Sequence, residues 1–136
     1  MHLDIAMNHC GAGGAVVHKT VSILGTEYKI EIHSPKEDEC LKRNDWIGYC
    51  DGELKLIVLA DLDDDERYVF DSDKQKDVIA KETLRHEIVH AFLNESGLQD
   101  NALQYNGAWA QNEELVDWIA IQFPKIQKVY EEVGCL

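Results

Sequence analysis

The hydrophobic pattern of this chain changes period once, and that change constrains the fold more than any other feature. Before residue 61 apolar side chains recur mainly at every second position, and after residue 72 they recur at helical spacing. Residues 20–24 and 27–33 alternate with period two on either side of Gly25-Thr26, which predicts a hairpin that Ser34-Pro35 closes. Residues 36–45 are polar and read as a loop or short helix. Residues 46–50 and 53–61 form a second expected hairpin around Asp51-Gly52. The run Leu56-Ile57-Val58-Leu59-Ala60 is apolar throughout, as a central strand covered on both faces would be.

The second half is helical by the same reasoning. Ser72 with Gln75 three residues on has capping-box form, and Val78, Leu84, Ile88, Ala91 and Phe92 follow at helical spacing. Gly97 supplies the stop. Residues 101–110 read as a loop around Asn106-Gly107. A second helix is expected over 111–133, with Leu115, Ile119, Ile126 and Val133 on its apolar side and Pro124 kinking or splitting it. The order β-β-β-β-α-α predicts an α+β fold: a small antiparallel sheet followed by two packed helices.

A chain of 136 residues is long enough for one domain with its own core. Residues 1–19, with Gly11-Ala12-Gly13-Gly14, read as a flexible leader, and 20–136 as the single domain. His2, His9 and His18 lie in or near that leader and are expected to be solvated, because a mobile segment loses entropy on binding. No apolar run approaches membrane-spanning length and no basic-then-apolar start is present, so the expectation is a cytoplasmic protein without membrane contact. The net charge of −13 argues against nucleic-acid binding; an acidic surface keeps a small protein soluble with no partner at all, and long-range steering of a basic partner is the alternative. Cys10, Cys40, Cys50 and Cys135 form no CxxC pair, and free thiols are expected, with Cys50 a small strand residue and a Cys40–Cys50 bridge as the alternative. The acidic run Asp63-Asp64-Asp65-Glu66 lacks the spacing of a calcium loop and reads as a solvated connection.

The chemistry-bearing motif is His86-Glu87-Ile88-Val89-His90, an HExxH inside the first helix. Two histidines one turn apart project from one face and can share one metal ion, with the intervening Glu beside it. A hydrolytic zinc site needs a third protein ligand and an open position for water. No His follows His90, and His33 lies on what reads as the exposed alternation of its strand. Among downstream carboxylates Glu95 lies around the far side of the same helix, and Asp100 is close to the helix end. Glu113 is the best candidate, with Asp117 one turn on as a partner for a ligand imidazole, and Glu114 is the runner-up.

HEIVH followed by Glu113-x-x-x-Asp117 resembles the gluzincin metallopeptidases. The small size, and Asn112 to Ala120 leading to Gln122-Phe123-Pro124, resemble the minimal phage and bacterial metallopeptidase domains of the ImmA/IrrE-like group. Val89 and Val116 depart from that pattern, where smaller residues are usual. The resemblance covers about residues 72–124. It implies a zincin-like fold in which His86, His90 and Glu113 bind Zn2+, Glu87 is the catalytic base and Asp117 supports a ligand.

The function expected is therefore a zinc metallopeptidase acting on a protein or peptide substrate, for which a basic target would suit the acidic surface. Zinc lowers the pKa of its water toward about 7, and Glu87 takes the proton. Tyr49, Tyr68 and Tyr105 are candidate donors to the oxyanion. Two other classes compete: a non-enzymatic acidic inhibitor or nucleic-acid mimic, and a zinc hydrolase of non-peptide amides. Oligomeric state is not legible in the sequence.

Overall fold

The computed structural model describes residues 16–99 and 112–136. Two hairpins build one four-stranded sheet. The first pairs β1 (Val16–Ile23) with β2 (Thr26–His33), and the second pairs β3 (Gly48–Asp51) with β4 (Leu56–Ala60). β1 begins four residues before the expected boundary at Thr20, and its pairing with β2 slips between Val17 and Lys19. The turn residues are Leu24 and Gly25, at φ 50° and 89°, rather than Gly25-Thr26. Two successive positive φ angles match the right-handed twist of the flanking strands.

The sheet is mixed, not antiparallel as expected. Its order is β1-β2-β4-β3, with β2 and β4 side by side and parallel, Ile30 opposite Ile57. Between β2 and β3 the chain runs through a short helix, α1 (Glu39–Asn44), which carries β3 to the far edge. The second hairpin then returns β4 to the centre, where its continuous apolar run is buried at every position.

Both faces are covered. On one, α2 (Asp73–Glu95) and α3 (Glu113–Val133) pack over Val21, Ile23, Tyr28, Ile30, Cys50, Ile57 and Leu59. On the other, α1 and the segment after β4 cover Tyr49, Leu56, Val58 and Ala60, with Tyr68 and Phe70 against them. That second layer overturns two expectations. His33 is fully buried rather than on an exposed alternation. The acidic connection is not simply solvated: Asp65 is buried and grips Arg67 through both carboxylate oxygens at 2.9 and 2.8 Å. The same guanidinium donates to the carbonyls of Leu41 and Trp46, tying the connection to the end of α1.

Cys50 and Cys135 are buried free thiols, as expected, whereas Cys40 is disulfide-bonded, a departure from the free thiol anticipated there. Its bond is not to Cys50, which removes that alternative. Pro124 lies within one continuous helix and does not split it. Among the described residues no helix is long and apolar enough to cross a membrane. The glycine-rich stretch, His2, His9, Cys10, Asp100, Tyr105 and the expected loop over 101–110 lie outside the described residues.

Candidate metal centre

The HExxH sits on α2, and the local sequence explains how that helix is fixed. Ser72 accepts the Gln75 amide at 3.1 Å, and the Gln75 side chain accepts from Asp71 N–H at 2.6 Å, so the first turn is closed from both sides. The far end stops at Ser96, followed by Gly97 at φ 80°.

α2 is held by two flanks. On one, β3 runs alongside it: a Cβ added to Gly48 would lie 2.6 Å from Thr83 Cγ2, and Asn94 Nδ2 donates to the Gly52 carbonyl at 3.3 Å. Glu87 is on that side, fully buried, and its charge acts on the Cys50 thiol of β3. Burial, with Glu87 adding to it, pushes that thiol well above its ordinary value. Cys50 is therefore a packed, protonated side chain and not a reactive one.

On the other flank lies α3. Trp118 Nε1 donates to Ser96 Oγ at 3.3 Å, Tyr130 OH donates to the Arg85 carbonyl at 3.1 Å, and Arg85 donates to the Cys135 carbonyl at 2.6 Å. These contacts set α2 and α3 antiparallel, with Trp118 beside the end of α2 and Tyr130 nearer its middle.

His86 and His90 face outward between the two flanks, both half-buried. Their Nε2 atoms are 2.9 Å apart, with the rings edge to face and centroids 4.7 Å apart. Two Nε2 atoms this close either share a proton or direct both lone pairs at one cation. A tetrahedral zinc with Zn–N near 2.0–2.1 Å would place two imidazole nitrogens roughly 3.3 Å apart, so small ring rotations convert one arrangement into the other. The imidazole pair fits a metal ion.

The expected third ligand is not brought to it. Glu113, Glu114 and Asp117 are all exposed. At about 100° per residue, the α3-facing residues Arg85, Phe92 and Ser96 lie roughly 120° around α2 from the histidine face. The antiparallel register adds an axial offset: with a rise of about 1.5 Å per residue, Glu113 stands roughly 15 Å beyond the level of His90. A glutamate side chain cannot span that. Among the described residues no group of three or more His, Cys, Asp or Glu side chains is gathered to hold a metal.

Other expected participants are placed elsewhere. Tyr49 is buried on the opposite face of the sheet, with its hydroxyl on Asp38 at 2.8 Å, so it is no oxyanion donor to this site. Tyr68 packs on that same face and donates to the Asp45 carbonyl at 3.0 Å. Glu95 accepts from Tyr28, Thr26 and Lys55, which fixes it as a structural carboxylate. The sequence reading missed the buried set Glu31, His33, Asp38 and Tyr49. Asp38 directly before Glu39 carried a legible helix-cap signal, but nothing in the alternation of β2 announced a second covering layer.

No known protein family matches the chain, and no curated protein or solved structure is significantly similar to it.

Proposed function

We propose that this protein is a metal-dependent hydrolase of the zinc metallopeptidase type, with His86 and His90 as metal ligands and Glu87 as general base. The observation that carries the reading is the 2.9 Å approach of the two Nε2 atoms on one turn of a capped, well-packed helix. Without metal the two rings can join by one N–H···N hydrogen bond, and the same approach aims both Nε2 atoms at a point where a cation would take that proton's place. With zinc held by His86 and His90, the metal would supply a lowered pKa for its water and polarisation of a carbonyl.

The chain's own residues do the rest. Glu87 lies one residue from His86, on the flank between the imidazoles and β3, and is fully buried. A base of that kind can accept the proton of an attacking water and return it to a leaving amine. β3 packs beside the helix at Gly48, where a Cβ would meet Thr83, and the turn after it does so at Gly52, where a Cβ would meet Asn94. Among the described residues His86 and His90 would supply two of the three protein ligands such a site needs, and Glu113 is left out of the set on the geometry given above.

The test is metal analysis of protein purified without added zinc or an affinity-tag metal, paired with hydrolysis of an unstructured protein such as casein. One zinc per chain is expected, lost in His86→Ala and in His90→Ala. Glu87→Gln should keep the metal and lose hydrolysis. A chain that takes up no zinc, or that cleaves equally well after Glu87→Gln, overturns the proposal.

A further inference from the structure

On the face of the sheet away from α2, His33 is 0% exposed and both of its ring nitrogens meet carboxylate oxygens. Nδ1 is 2.5 Å from Asp38 Oδ2, and Nε2 is 2.9 Å from Glu31 Oε1. An ionised carboxylate only accepts hydrogen bonds, so two such contacts require a ring carrying both protons. Asp38 is committed on every side. Its Oδ1 accepts the backbone N–H groups of Cys40 and Leu41, at 2.9 and 3.1 Å, as the N-cap of α1. Its Oδ2 also takes the Tyr49 hydroxyl of β3 at 2.8 Å.

We propose that His33 is a proton-dependent clasp that ties the start of α1, and through Tyr49 the edge strand β3, to β2. The clasp holds while the imidazole carries both protons and loosens when it loses one. This inference is independent of the metal reading. Deprotonation leaves a nitrogen lone pair facing a carboxylate lone pair away from the protein surface, and two buried carboxylates lose the cation between them. Asp38 then has reason to swing outward, and the first turn of α1 loses its cap. Tyr49 shares that carboxylate and stands next to Cys50, so the disturbance reaches the strand beside Glu87.

The other charged groups near the clasp do not substitute for the imidazolium. Asp61 donates its backbone N–H to the His33 carbonyl, and its carboxylate accepts from the Asp63 N–H. Asp64 takes Ser34 Oγ and Lys36 Nζ. Arg67 is engaged by Asp65 and by the carbonyls of Leu41 and Trp46. Asp51, which bears on Tyr49, turns its side chain to the backbone N–H groups of Glu53 and Leu54. From β4 the neighbours are the apolar Val58 and Ala60. Burial alone would lower the proton affinity of the ring, and the Asp38 and Glu31 hydrogen bonds outweigh it, holding the ring above its ordinary value.

The sign follows from linkage. A proton held more tightly in the folded state stabilises it fully below the unfolded histidine value, and that stabilisation disappears as pH rises through the folded value. The experiment is 15N-detected NMR of the His33 ring in the intact protein between pH 5.5 and 9.5, with amide exchange at Cys40 and Leu41 over the same range. Both ring nitrogens should be protonated at pH 7, and above the ring's midpoint the two amides should exchange faster than base catalysis alone accounts for. Glu31→Gln, at the less buried end of the array, should shift the midpoint downward, and His33→Gln should remove the alkaline loss of urea resistance. If His33→Gln does not fold, Glu31→Gln carries the mutational test. A ring that is neutral at pH 7, or a midpoint unmoved by Glu31→Gln, overturns the proposal.

Discussion

His86 and His90 hold their Nε2 atoms 2.9 Å apart on one turn of α2, while Glu87, between them in sequence, is buried against the strand that carries Cys50. The arrangement separates two tasks along a single helix: the half-buried imidazoles meet the surface and the carboxylate is enclosed. If the metal reading holds, the two kinds of substitution must separate as well. His86→Ala and His90→Ala should abolish zinc uptake. Glu87→Gln should leave uptake intact and reduce hydrolysis by roughly 10²- to 10⁴-fold, the usual worth of a general base. Metal analysis and casein cleavage on the same preparations read both effects.

The placement of α3 gives a sharper test. Glu113 is exposed, and α3 packs on the flank of α2 marked by Arg85 and Ser96, away from the histidines. Glu113→Ala is therefore expected to leave zinc affinity within about threefold of the parent, since a lost direct ligand costs far more than the roughly 10- to 100-fold of a lost supporting group. Isothermal titration with zinc checks it. A loss of binding comparable to that of His90→Ala would show that α3 reaches the imidazoles in solution.

Much of this architecture was legible because local chemistry dictated it. The alternation before residue 61, the Ser72 cap and the Gly97 stop each name an element through the backbone groups or faces they satisfy. The buried run of β4 correctly announced a central strand. What the run could not announce was its neighbour: a strand apolar on both faces pairs equally well in either direction, so the parallel contact with β2 depends on where α1 carries the chain. His33 illustrates the same limit, since alternation tells which side chains share a face and not whether that face is covered. At the site, HExxH fixed the relation of His86 to His90 through helix geometry alone. Glu113 required the packing of two helices, which spacing in the sequence does not encode.

Gly48 marks a close approach of α2 to the sheet. A Cβ there would lie 2.6 Å from Thr83 Cγ2 and 3.0 Å from the Val58 carbonyl, and the second neighbour is backbone that cannot rotate away. Gly48→Ala should destabilise the protein by about 1–3 kcal/mol, the usual range for overpacking. Urea unfolding measures it. An unchanged midpoint would mean that the helix stands farther from β3 than described.

Leu24 offers a change of opposite sign. It occupies the first position of a two-residue turn at φ 50°, partly exposed, with Gly25 following at φ 89°. A branched side chain is disfavoured there, and Asn tolerates the conformation. Leu24→Asn is expected to stabilise the fold by about 0.5–1 kcal/mol, seen as a higher urea midpoint. A lower midpoint would indicate that Leu24 contributes more through its packing near Phe92 than it loses in the turn.

Glu95 ties the end of α2 to both hairpins. It accepts from Thr26 Oγ1 at 3.0 Å, Tyr28 OH at 2.7 Å and Lys55 Nζ at 2.6 Å. Burial would raise its proton affinity, but these three donors outweigh that and hold the carboxyl below its ordinary value. A carboxylate with a depressed folded value stabilises the fold above the unfolded value, near 4.3 for glutamate, and that stabilisation is lost as pH falls through the folded one. Glu95→Gln should cost about 1–3 kcal/mol at pH 7, because a neutral amide leaves a charged donor and a buried hydroxyl poorly matched. Between pH 6 and 3 the difference between parent and variant should shrink, because the parent gives up what the variant never had. Urea midpoints measured across that range on both proteins decide it, and a constant difference would mean that the three hydrogen bonds do not depend on the charge of Glu95.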